Sequence, residues 1–142
     1  MSATLSMSEP VSARDIQCRR WLLILWCAVI FAFSQMPGSG RAIEPTAWYI
    51  VERKSAHVFE YAILALLSFR FFAAVYSREA FIRIAALVIA FGLAYGALDE
   101  LHQAFIFGRG ARLTDVAIDG LGIVFALAII YWLRSGRTTT RY

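Results

Sequence analysis

Apolar stretches alternate with short polar ones along the chain, and the apolar ones fall at 21–33, 45–76, 81–98 and 116–133. The first follows Arg19 and Arg20 and is short enough to pass for a secretory signal. Its bulky Trp and Phe content and the absence of an A-x-A pattern before Pro37 count against cleavage, so it is read as a first transmembrane helix. A turn composition around Pro37, Gly38 and Gly40 leads to a second helix that starts near Pro45 and runs to Tyr76 without an internal Gly or Pro. Within it Lys54, His57, Glu60 or Tyr61, and Leu64 recur at intervals of three and four and share a stripe. A polar stripe on a membrane helix is expected to face protein or water rather than lipid.

The third stretch carries Gly92, Ala94, Gly96 and Ala97, small residues that allow helices to approach closely. Between it and the fourth lies the most polar junction of the chain, 99–122, with Asp99, Glu100, His102, Gln103, Arg109, Arg112, Asp115 and Asp119. Helical spacing puts Asp99, His102 and Gln103 on one face, and Asp115, Asp119 and Gly122 on one face of the next helix. Thr114 is placed to cap that helix. Arg109 stands between Gly108 and Gly110, whose missing side chains would let a ligand come close to the backbone.

Composition turns these helices into membrane spans. Of 142 residues, 60% are hydrophobic and 17% charged, and the mean hydropathy is +0.62, too apolar for a soluble domain. The expected fold class is all-α: a polytopic membrane protein with a bundle of four transmembrane helices at 18–134, a cytoplasmic tail at 1–17 and a polar tail at 135–142. The net charge of +4 comes mainly from arginines at segment ends and has no accompanying basic and aromatic stripe, which argues against nucleic acid as a partner. Counting those arginines places both termini in the cytoplasm and the 99–115 turn outside. The helix-two stripe and the 99–122 junction then meet at one, outer, end. Cys18 and Cys27 are too far apart along one helix to form a disulfide with each other.

The pattern Lys54-x-x-His57-x-x-Glu60-Tyr61-x-x-Leu64, followed by Asp99-Glu100-x-His102-Gln103-x-Phe105, Gly108-Arg109, Asp115, Asp119 and Gly122, resembles the VanZ-like membrane proteins. Phe31, Ser34, Gln35 and Pro37 resemble that family's segment after its first helix. Phe107 stands where a proline commonly precedes Gly-Arg, and Asp119 where asparagine is frequent. The resemblance implies a multi-pass protein of the bacterial inner membrane. It also implies a link to tolerance of teicoplanin-type glycopeptides, without supplying a mechanism.

Two classes of function follow. The first is a cell-envelope binding protein whose outer polar pocket takes an anionic lipid or lipid-linked precursor, with Lys54, His57, Glu60, Asp99, Glu100, His102, Gln103, Arg109, Asp115 and Asp119 as the candidate contacts. Arg109 would be its main anion contact, held in place by Asp99. The second is a small membrane hydrolase or transferase acting on such a lipid, with His57, Glu60 and Asp99 as candidate acids and bases. A structural role for the same groups, as interhelical hydrogen bonds, is the plain alternative. The acids outnumber the bases on offer, and an intramembrane acid is costly unless compensated, which tilts the reading toward a site. There is no H-E-x-x-H pair and no cysteine cluster, so no metal or other cofactor is expected, and a homo-oligomer stays open.

Overall fold

Each apolar stretch becomes one long helix whose ends are set by local chemistry. The computed structural model describes residues 11–36, 47–106 and 112–138, except for the side chains of 47–50, 52 and 137–138. Helix α1 is Ala13–Ser34, α2 is Ala47–Val75, α3 is Phe81–Gln103 and α4 is Leu113–Thr138. The membrane-compatible parts run from 22 to 24 residues. At 1.5 Å per residue that is roughly 33 to 36 Å, enough to cross the hydrocarbon core. The protein is a four-helix membrane bundle.

Helix α1 begins well before the apolar run at 21–33, because Ser12 Oγ accepts the Asp15 backbone N–H at 3.1 Å and so caps residues that carry no hydrophobic period. The Arg19 guanidinium on this early part donates to the Arg70 carbonyl at 2.9 Å, fastening the start of α1 to the end of α2. Helix α3 likewise runs past the apolar stretch at 81–98, so that Asp99, Glu100, His102 and Gln103 sit in its last turns.

The helices run alternately up and down. Arg134 lies over the Phe69 ring at 4.7 Å, and Phe81 meets both Phe69 and Tyr131, which brings the end of α4, the end of α2 and the start of α3 together at one pole. The polar constellation occupies the opposite pole. On α2 the buried Tyr61, Leu64, Ser68 and Phe69 continue the face that His57 begins, so one stripe is polar at its start and core-forming further on. The packing is closest between α2 and α4, while α1 is the most peripheral helix, with only Leu23, Ile30 and Ser34 buried. Phe59, Leu66, Leu98, Leu121 and Phe125 are exposed on the outside of the bundle, as side chains facing lipid should be.

Candidate functional site

The site is built on α2 and α4, which run parallel and in register. Asp115, Asp119 and Gly122 are spaced i, i+4, i+7 and all turn toward α2. Lys54 Nζ meets Asp115 Oδ1 at 3.3 Å, and one turn deeper His57 Nδ1 meets Asp119 Oδ1 at 3.0 Å. A turn further on, Gly122 lies directly against the Val58 carbonyl, and a side chain there would also come within 3.2 Å of the Ala62 nitrogen. Absence of a Cβ at 122 is therefore what allows the two backbones to close and the two pairs above to form.

Burial increases along this ladder. The Lys54 side chain is 42% exposed and that of Asp115 15%, whereas those of His57 and Asp119 are 12% and 1% exposed. The outer pair is thus solvent-screened and contributes little. For the inner pair, removing one partner would strand a buried polar group, at a cost of about 1 to 3 kcal/mol. One hydrogen bond joins Nδ1 to Oδ1, and through it Asp119 fixes the imidazole's orientation. The stripe of small residues on α3 makes room for it: a Cβ at Gly96 would stand 3.0 Å from Asp119 Oδ2 and 3.4 Å from the Tyr61 hydroxyl.

The end of α3 joins this ladder to α1. Asp99 Oδ2 accepts from Ser34 Oγ at 2.7 Å and from Gln103 Nε2 at 2.8 Å. The Gln35 amide donates to His102 Nε2 at 2.7 Å, with the Phe31 ring 5.0 Å from the imidazole. Glu100 Oε2 accepts the Arg112 backbone N–H at 2.8 Å, which ties α3 to the residue preceding α4. Asp99 Oδ1, Glu100 Oε1 and Gln103 Oε1 are buried and have no partner among the described residues. Buried acceptors of this kind are rare without a reason.

Between α1, α2 and α3 a cavity of about 90 Å³ opens, lined by Phe33, Ser34, Arg53, Ala56, His57, Glu60 and Gln103. A model of the VanZ/LLP1 family matches residues 20–134. The chain belongs to the VanZ/LLP1 family. No curated protein and no solved structure matches it. In this VanZ/LLP1 chain the matched segment contains α2 and α3, most of α1 and α4, and every candidate residue named from the sequence.

His57, Glu60 and Gln103 share the pocket, with Asp99 directly behind Gln103, so residues from the two distant motifs do converge. The two histidines do not: His57 is held by Asp119 on α4 and His102 by Gln35 on α1. Among the described residues no three His, Cys, Asp or Glu side chains form a group that would hold a metal ion. Pro37, Gly108, Arg109 and Gly110 lie outside the described residues, and with them the expected contact between Arg109 and Asp99. Thr114 is not the cap of α4. The helix starts at Leu113, so Thr114 belongs to its first turn and its hydroxyl lies 3.4 Å from Asp115 Oδ1.

Three further residues escaped the sequence reading. Arg53 adjoins Lys54 and lines the pocket; it stands four residues before His57 and seven before Glu60, so the helical spacing that singled out the stripe also reaches it. The Trp26 indole donates to the Glu60 carbonyl at 3.0 Å and the Tyr95 hydroxyl to the Cys27 carbonyl at 2.6 Å, both holding α1 on the bundle. Only the recurrence of a polar-tipped aromatic inside an apolar stretch could have flagged them.

Proposed function

We propose that this chain is an envelope protein of the bacterial inner membrane that binds an anionic lipid or the lipid-proximal part of a lipid-linked precursor, and through it affects tolerance of teicoplanin-type glycopeptides. The observation that carries this reading is the pocket between α1, α2 and α3, which is bordered by the exposed Phe33 and lined by both Arg53 and Gln103, the latter with a buried, unpartnered Oε1. Among the described residues Arg53 has no ion pair, whereas Lys54 and His57 are each engaged with an aspartate. A guanidinium offers a planar fork suited to phosphate, and it is the cation in the pocket that a ligand does not have to win from a carboxylate. A cavity of about 90 Å³ has room for a small polar group such as a phosphate and excludes a whole saccharide–peptide unit. Arginine placement supports a topology with both termini cytoplasmic and the pocket at the outer end. Arg109 is a second arginine that the sequence offers between α3 and α4.

The test is titration of the purified chain in neutral micelles with phosphatidylglycerol, alongside a teicoplanin tolerance assay in cells. Arg53→Gln should weaken binding about tenfold or more, as expected for a charge-assisted contact, and should lower tolerance at equal membrane abundance. Wild-type binding and tolerance in Arg53→Gln would refute the proposal. A membrane hydrolase or transferase is the second reading, favoured by the His57–Asp119 pair. A carboxylate that orients an imidazole bordering a pocket is the arrangement a general base needs. Release of a headgroup by the wild-type chain, lost in His57→Gln, would establish it.

A further inference from the structure

The pocket's acceptor side defines which headgroups fit. Gln103 is 1% exposed, lines the pocket, and has its amide orientation fixed by chemistry. Its nitrogen lies 2.8 Å from Asp99 Oδ2 and 3.4 Å from Ser34 Oγ. A carboxylate oxygen that already accepts from Ser34 can face only a donor, so nitrogen and not oxygen points to Asp99. That leaves Oε1 as a buried acceptor with no partner among the described residues.

We infer that the pocket selects a phosphate-bearing headgroup that also carries an O–H or N–H donor, the donor going to Gln103 Oε1 while the phosphate meets Arg53. This rests on the pocket being the lipid site proposed above. In the absence of a ligand, Oε1 has no hydrogen-bond partner among the described residues. A headgroup that supplies a donor satisfies this buried acceptor, whereas one without a donor leaves it unmet. Arg53 alone would accept any phosphodiester. Gln103 adds the discrimination.

The test compares matched short-chain lipids binding to the full-length protein in neutral micelles, followed by intrinsic tryptophan fluorescence. Phosphatidylglycerol against phosphatidylethanol removes the hydroxyls at constant charge. Phosphatidylethanolamine against phosphatidylcholine removes the N–H donors and keeps the phosphate and the ammonium charge. The donor-bearing member of at least one pair should bind about fivefold or more tightly, the equivalent of one net hydrogen bond. Which pair discriminates tells a hydroxyl donor from an ammonium donor. Gln103→Met, which keeps volume and removes the acceptor together with the amide donated to Asp99, should abolish the preference. Equal affinities within both pairs in the wild-type protein would overturn the inference without need of any variant, as would a preference that survives Gln103→Met. If Arg53→Gln still weakens all the lipids, the lipid-site reading stands while the donor inference falls. If Arg53→Gln changes nothing, the lipid-site reading falls as well.

Discussion

Replacing Gly122 by alanine should destabilise the bundle even though alanine is the better helix former. A Cβ at this position would press on the Val58 carbonyl, with the carbonyl carbon at 3.1 Å and the Ala62 nitrogen at 3.2 Å. All of these are backbone atoms of α2, which cannot rotate away as a side chain can, so α2 and α4 must separate. Overpacking costs about 1 to 3 kcal/mol, and a backbone neighbour puts the case in the upper part of that range. Alanine recovers about 0.8 to 1.0 kcal/mol of helix propensity relative to glycine. The net loss is then about 1 to 2 kcal/mol, a fall of a few degrees in thermal midpoint. Gly136 provides the control, since nothing lies within 4 Å of its would-be Cβ, and Gly136→Ala should be neutral or stabilising by up to about 1 kcal/mol. Thermal unfolding of both variants in detergent micelles, followed by circular dichroism, gives the comparison. If Gly122→Ala melts at or above the wild-type midpoint, close backbone contact is not what sets the α2–α4 register.

Other outcomes follow from the same geometry. Asp119→Asn keeps a hydrogen-bonding partner for His57 Nδ1 and should stay within about 1 kcal/mol of wild type, whereas Asp119→Leu strands a largely buried imidazole and should cost about 1 to 3 kcal/mol. The reverse order in the same melting assay would show that the pair does not hold α4 to α2. A single cysteine at position 110, on a background lacking Cys18 and Cys27, should react with an impermeant maleimide added outside intact cells. Reaction from the cytoplasmic side alone would invert the proposed topology.

Helix number, length and class were legible in the residue order, because a membrane span must be apolar over a fixed length and must satisfy its own backbone. So was the grouping of Asp115, Asp119 and Gly122 on one face, since helical spacing depends on nothing beyond the helix itself. The polar stripe of α2 and the polar turns at the end of α3 could be assigned to one pole by counting spans. Sequence could not say which helix each stripe would meet. Neighbours joined by short loops are expected to pack antiparallel, yet the closest pairing is between α2 and α4, which are parallel and not consecutive. It arises because a glycine on one helix faces a carbonyl on the other, a match of surfaces that exists only once both helices are in place. The same closure gave His57 to Asp119 instead of Asp99, passed Asp99 to Ser34 and Gln103, and brought Arg53 into one pocket with Gln103 of α3, a meeting that spacing within a single helix does not specify.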